Sequence, residues 1–278
     1  MGVDLVVSAA ARRSVTALND AQQQQRTVSD RLATGKAVLA PIDDPGRYFT
    51  ARALDARAAS VSSLLDDMGK AIQTLKAADD GIKGVSKLLD VAKGKISSAQ
   101  AETDPQRRAE LASEFNGVLR QLEGLARDAS FKGKNLLAGS GNTVSVSFDE
   151  ENLAKLEIPP VDYTNAADPG GLAVDDAANN WQSDADLEAA RGDITNALLR
   201  VRQDANSFGS SKALIENRQS FARTIMNTLT NGSERLTSAD MNAEGARLLA
   251  LQTRQSLSTS ALSIANGADR DVMRLFGG

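Results

Sequence analysis

Residues 7–32 read VSAAARRSVTALNDAQQQQRTVSDRL, and residues 246–275 read ARLLALQTRQSLSTSALSIANGADRDVMRL. In the first stretch Val7, Ser14, Ala21 and Val28 recur every seven residues, with Ala11, Leu18, Gln25 and Leu32 four residues on, which is the spacing of a coiled-coil seam. In the second, Ala246, Ala250, Thr253, Leu257, Ala261, Ile264, Ala268, Val272 and Leu275 recur at threes and fours. A helix with one such stripe needs another helix to bury it. The two ends are therefore predicted to fold back and pair. The fold class that follows is mainly α: a long antiparallel helical rod or coiled coil formed by the N- and C-terminal segments, with a small β-containing insert between them.

The middle of the chain supports this outline. Positions 51, 54, 58, 61, 65, 68, 72, 75, 79, 82, 86, 89, 93 and 96 alternate steps of three and four, and eleven of the fourteen are apolar, from Ala51 to Ile96. One continuous helix here would run about 70 Å at roughly 1.5 Å per residue. Thr103, Asp104 and Pro105 then give a capping residue followed by proline, a stop and restart. A second helix carries Leu111, Phe115, Val118, Leu122, Leu125 and Ala129. Helix resumes near Ser183 with Leu187, Ala190, Ile194, Leu198, Val201, Ala205 and Phe208. Gly209 and Ser210 are expected to disturb the phase, after which Leu214, Phe221, Ile225 and Leu229 continue a core face as far as a stop at Asn231 and Gly232. The last helix is expected to begin around Thr237 or Ser238.

Between Phe131 and Trp181 the helical period disappears. Val144, Val146 and Phe148 alternate with polar residues after the Gly139–Asn142 turn, which predicts a short strand. Pro159, Pro160, Pro169, Gly170 and Gly171 predict irregular chain with at most another strand or two. Residues 140–190 hold eleven acidic residues against Lys155 alone, a net charge of −10 in a chain of net −4. Such a block reads as a solvated outward face. Loops of this composition carry few buried contacts, so a tag near Asn165 is expected to be tolerated.

Composition excludes several function classes. The chain has no Cys and no His, which removes thiolate nucleophiles, thiolate metal sites, the usual general base and the commonest transition-metal ligand. Only ten of 278 residues are aromatic, so buried area must come from narrow Ala, Leu, Val and Ile contacts between helices. No cofactor is nominated. Gly139, Ser140 and Gly141 lack the third glycine and the lysine of a phosphate loop and read as a turn. Adjacent Asp43 and Asp44 cannot face each other across a substrate, and capping or hydrogen bonding in a bend is their expected role. Arg12, Arg13, Arg26 and Arg31 form no basic cluster in a chain of net negative charge, so nucleic acid is not an expected partner. No apolar run reaches the roughly 18 residues that span a membrane, and the order of charges around residues 1–13 is wrong for a secretory signal. If the protein leaves the cell, another route carries it.

Several short blocks resemble one family. Arg31, Leu32, Ala33, Thr34, Gly35 and Lys36 followed by Ile42, Asp43, Asp44, Pro45 and Gly46 are similar to the N-terminal block of bacterial flagellins, in which a Leu, small, small, Gly run leads to paired Asp. Phe131 to Leu137 resembles the element that opens the flagellin β region, and Asn217 with Arg218 matches an Asn-Arg pair. Ala239, Asp240, Met241 and Glu244 resemble the C-terminal acidic block, followed by Gln252, Gln255, Ser256, Leu262, Ala265 and Asn266 in the family's order. Ala33 and Thr34 replace the commoner Ser pair, Asn242 stands where Ala is usual, and Gly267 and Asp269 stand for the usual Gln and Pro.

The resemblance implies a structural polymer. It implies terminal segments that are disordered in the monomer and pair as a coiled coil inside a filament, a helical middle layer, and a variable outer part. It further implies self-association as a helical homopolymer, meeting hook-associated and cap proteins, an export chaperone and a type III export apparatus, with no nucleic acid and no membrane as partner. Extracellular localisation in the filament follows from it, and so does a structural role in swimming motility. The hook-filament junction protein of the same family and a cytosolic helical adaptor are the alternatives. The expected division is 1–45 and 237–278 as halves of a terminal coiled-coil domain, 46–139 and 183–236 as halves of a helical rod domain, and 140–182 as the acidic outer insert. Val7, Ala11, Leu18, Val28, Leu32, Leu249, Leu257, Ala261, Ile264, Val272 and Leu275 are the expected assembly interface. Gly35, Asp43, Asp44, Pro45 and Gly46 are the expected interdomain bend.

Overall fold

The computed structural model describes residues 9–276. Among these residues there are five α-helices: α1 (Ala9–Thr34), α2 (Pro45–Gln100), α3 (Pro105–Asp128), α4 (Asp184–Thr237) and α5 (Met241–Phe276). Between α3 and α4 lie two strands, β1 (Val144–Ser147) and β2 (Lys155–Ile158), and a 3-10 turn over Ala178–Trp181. The fold is mainly α with a small two-stranded antiparallel sheet, in which Val144 faces Ile158 and Ser147 faces Lys155. The chain forms two units. One takes the described residues up to Ala56 and from Thr228 on, and the other is Arg57–Asn227.

The Arg57–Asn227 unit owns most of the core. On α2 the expected row is buried at Val61, Met68, Leu75, Ile82, Leu89 and Ile96, and a second row at Ala71, Ala78, Val85, Ala92 and Ala99 is buried beside it. Two seams are needed because α2 serves two helices: Lys95 pairs with Glu114 of α3, and Gln100 donates to Glu188 of α4. Gly84 leaves room for Leu125 of α3, since a Cβ there would stand 2.9 Å from that side chain. Asp104 caps α3 as the sequence suggests, accepting from the Gln106 N–H at 3.0 Å with Pro105 in the first turn. The buried row of α3, Ala112, Phe115, Leu119, Leu122 and Ala126, is rotated from the predicted one, with Val118 and Leu125 only half-buried.

Two expectations for α4 are overturned. Gly209 and Ser210 do not reset the phase: Val201, Phe208, Ile215 and Ala222 continue one seven-residue row inward. Leu214 and Phe221 consequently face outward, at 44% and 60% exposure. Asn231 and Gly232 do not stop the helix, which runs on to Thr237. Gly232 serves close approach instead, because a Cβ there would lie 3.3 Å from Leu54 of α2.

The stretch from Phe131 to Trp181 is packed, contrary to the expectation of a loosely attached loop. Leu136, Leu137, Tyr163, Leu172 and Trp181 are fully buried, and Trp181 lies against Phe115 with ring centroids 5.0 Å apart. Asn135 donates from its amide to the carbonyls of Ala126 and Arg127, satisfying the end of α3. Arg200 of α4 donates to the carbonyls of Pro169 and Gly171, and Arg127 of α3 donates to that of Thr164. Tyr163 donates its hydroxyl to Asp204, and burial together with that carboxylate pushes the phenol well above its ordinary range. Asn165 itself is exposed, but its neighbour Ala166 is buried and donates its N–H to Glu123. Composition marked turn formers correctly and could not show that Glu123, Arg127, Arg200 and Asp204 of the flanking helices tie the turns down.

Candidate assembly surfaces

In the unit that holds the two ends, α1 and α5 lie antiparallel. Where α1 ends, Gly35 adopts φ +68°, a conformation that glycine takes without a Cβ penalty. Its carbonyl accepts from the Ala239 N–H at 2.9 Å, and the Thr237 carbonyl accepts from Ala37 at 2.7 Å. Asp240 then caps α5 through the N–H groups of Asn242 and Ala243, so that helix starts at Met241, later than its sequence suggests. The junction fixes the register of the pair. One turn into α5, Glu244 is 8% exposed and accepts from Arg31 of α1 at 3.3 Å, with Arg247 at 3.5 Å from the same oxygen.

That ion pair decides which face of α5 meets α1. On α1, Ala21 and Val28 are buried while Leu18, Gln25 and Leu32 are half-buried, which is the row read from the sequence. On α5 the inward row is Glu244, Leu248, Leu251, Gln255, Ser258, Leu262 and Ala265. The predicted row, including Leu257, Ala261 and Ile264, lies on another face. Leu249, Leu257 and Ile264 are 65%, 66% and 74% exposed. Counting apolar residues favoured the wrong row because α5 carries apolar residues on two faces, and the buried Glu244 that sets its rotation is a charged residue. Val7 lies outside the described residues, as do the side chains of Ala11, Val272 and Leu275 on their helices.

The bend between α1 and α2 is held by its two aspartates. Asp43 accepts from the N–H groups of Leu39 and Ala40, both at 2.9 Å. Those bonds, Ala40 first, hold its carboxyl below the usual range. Asp44 caps α2 by accepting from Arg47 at 3.0 Å, Pro45 opens the helix, and Gly46 sits in its first turn. The fixed loop pushes Ile42 into solvent at 91% exposure, with Leu39 and Phe49 at 40% and 61%.

In the Arg57–Asn227 unit, a cleft of about 320 Å³ opens between α2, α4 and the chain after β1. Val61, Leu64, Phe148, Phe221, Ala222 and Ile225 give it apolar walls, and Arg57, Asp149, Glu150 and Arg218 stand at its edge. Arg57 pairs with Glu150 at 3.4 Å, while the Arg218 guanidinium lies 5.5 Å from the Phe148 ring centroid. Among the described residues no cluster of acidic side chains could hold a metal ion, and no helix is long and apolar enough to cross a membrane.

These surfaces are apolar faces and clefts on helices, suited to association with other chains. Comparison with known proteins identifies the kind. Residues 5–142 match the bacterial flagellin N-terminal helical region, and residues 192–276 match the bacterial flagellin C-terminal helical region. A flagellin of Brucella melitensis biotype 1 is 23% identical over 99% of both chains, and flagellin FljJ of Caulobacter vibrioides is 30% identical over 70% of this chain and 71% of its own. Among solved structures, a crystal structure of Bacillus cereus flagellin aligns with a TM-score of 0.48 at 14% identity, over 56% of this chain and 88% of that one. The chain belongs to the bacterial flagellin family, the structural subunits of the flagellar filament.

Proposed function

We propose that this chain assembles through its terminal helices, which pair with each other on one face and with neighbouring copies on the other. The observation that carries the reading is the exposed row of Leu249, Leu257 and Ile264 on a helix whose opposite face is already engaged by α1. Three large aliphatic side chains left in water on one row are a liability unless a further helix covers them. The pair alone is also thin: among its described residues, Ala21, Val28 and Leu251 are the apolar side chains that reach full burial. At roughly 25 cal/mol per Å² of apolar area, so little burial does not offset about 1–2 kcal/mol of backbone ordering per residue. Neighbouring copies would supply the remainder, so ordering of the ends is coupled to polymerisation.

On this reading residues 1–45 and 237–278 form the terminal coiled-coil domain, 46–139 and 183–236 the rod domain, and 140–182 an acidic outer part. The protein is exported unfolded by a type III route with a chaperone and works outside the cell. Hook-associated and cap proteins meet the polymer at its ends. Leu257→Asp with Ile264→Asp tests the assembly surface. Monomer helicity by circular dichroism should be unchanged, and seeded filament growth should stop. Filaments of ordinary length from this double variant would overturn the proposal.

A further inference from the structure

Two features lie outside the helix pair and fit each other. Ile42 is a knob: 91% exposed, at the tip of a loop that Asp43 and Asp44 fix through five hydrogen bonds to Leu39, Ala40, Arg47 and Tyr48. An aliphatic side chain held this rigidly in water pays its ordering cost before any partner arrives. The cleft beside Phe221 is a hole. Its volume of about 320 Å³ is at the small end for a ligand site, suited to one or two side chains, and its rim residue Phe221 is itself 60% exposed.

The charges beside the two features are opposite. Asp43 uses its Oδ2 on two backbone N–H groups and, among the described residues, has no cation within ion-pair distance. Arg218 lies over Phe148 and, among the described residues, has no carboxylate within that distance. The other rim cation, Arg57, is already neutralised by Glu150. We propose that the Ile42 knob of one copy seats in the Phe221 cleft of a second copy, with Asp43 approaching Arg218 across the contact. This rests on the reading of the chain as a filament subunit and names one contact within the filament. Because knob and hole are different surfaces, each copy offers one to each of two neighbours. Such a heterologous contact propagates into an open polymer unless its rotation closes a ring.

The chain has no Cys, so single cysteines report the contact without background. Ile42→Cys and Phe221→Cys chains are grown, separately and mixed, on seeds of unaltered protein with unaltered chain in excess, then oxidised. A 42–221 disulfide dimer is expected from the mixed filaments and from neither variant grown separately. Filaments of the mixture without that dimer, or 42–42 dimers from Ile42→Cys alone, would overturn the contact while leaving the filament reading intact. Failure of the unaltered chain to form filaments would overturn the filament reading, and the contact with it. As a second measurement, Ile42→Asp leaves a fully exposed position folded and should raise the critical concentration roughly ten- to hundredfold. An unchanged critical concentration would overturn the proposal.

Discussion

Replacing Glu244 by Gln should weaken the filament far more than its size suggests. The Glu244 side chain is 10% exposed and that of Arg31 is 24%, with their nearest atoms 3.3 Å apart. At an effective dielectric of about 20 the gross attraction at that distance is about 5 kcal/mol, most of it cancelled by desolvation of the two groups. Measured losses bracket the net effect: removing one partner of a fully buried pair costs about 3–5 kcal/mol, and an exposed pair is worth about 0.2–1 kcal/mol. A pair shielded to this degree should lose about 2 kcal/mol. The second Glu244 oxygen is buried without a hydrogen-bond partner, so a neutral amide gains little there in return.

If α1 and α5 are ordered together with assembly, that loss appears as about a thirtyfold rise in critical concentration, at about 1.4 kcal/mol per tenfold. Seeded growth followed by light scattering measures it. The reversed pair Arg31→Glu with Glu244→Arg should recover only part of the deficit, since it restores the attraction across the helices but sets an arginine beside Arg247. Lys70→Ala is the control, because Lys70 and Asp67 pair with 58% and 57% of their side chains exposed. A Glu244→Gln variant that behaves like Lys70→Ala would refute the reasoning that this pair sets the rotation of α5.

Further outcomes are expected. Deleting residues 1–32 or 246–278 should abolish assembly while the emission of Trp181, fully buried in the Arg57–Asn227 unit, stays unchanged. A short tag between Glu151 and Asn152, both exposed, should leave melting intact, whereas Gly171→Ala should lower stability by about 3 kcal/mol, because its Cβ would lie 1.9 Å from the Asp162 carbonyl oxygen. The raised phenol of Tyr163 favours the neutral form in the folded state, so its contribution is present below the unfolded value near 10 and is lost as pH rises through the higher folded value. Denaturant titrations should show stability of this unit falling above about pH 10, with a shallower alkaline fall in Tyr163→Phe.

The helices were legible because each carries a long row of apolar residues at a helical spacing. The Asp104–Pro105 restart and the strand over Val144–Ser147 were legible from capping and alternation. What escaped the sequence shares a physical character. The Ala71 to Ala99 seam was missed because alanine contributes weakly to any apolar count, although small side chains are what let two helices crowd α2. Gly209, Ser210 and Gly232 looked like interruptions because propensity is local, while burial along α4 from Val201 to Ala222 sustains the helix across them. The rotation of α5 was misread because a buried charge, Glu244, fixes it. The outward positions of Leu214 and Phe221 follow from the uninterrupted phase of α4, and with them the cleft that sequence analysis did not find.

The distribution of buried side chains gives the two units different physical characters. In Arg57–Asn227, two seams on α2, a tilted Phe115–Trp181 ring pair and a tied-down insert provide a core that needs no neighbour. The α1 and α5 pair has Ala21, Val28 and Leu251 buried, one shielded ion pair, and an aliphatic row turned to solvent. On the proposed reading, a subunit divided this way keeps its core while its ends are only marginally ordered, and those ends gain stability as copies accumulate. Enlarging the α1·α5 core, for example by Ala21→Leu, would then work against the protein even if it stabilised the monomer. Ends already ordered in the monomer would lose the dependence on neighbours that holds assembly back until the local concentration is high, and premature polymer should follow.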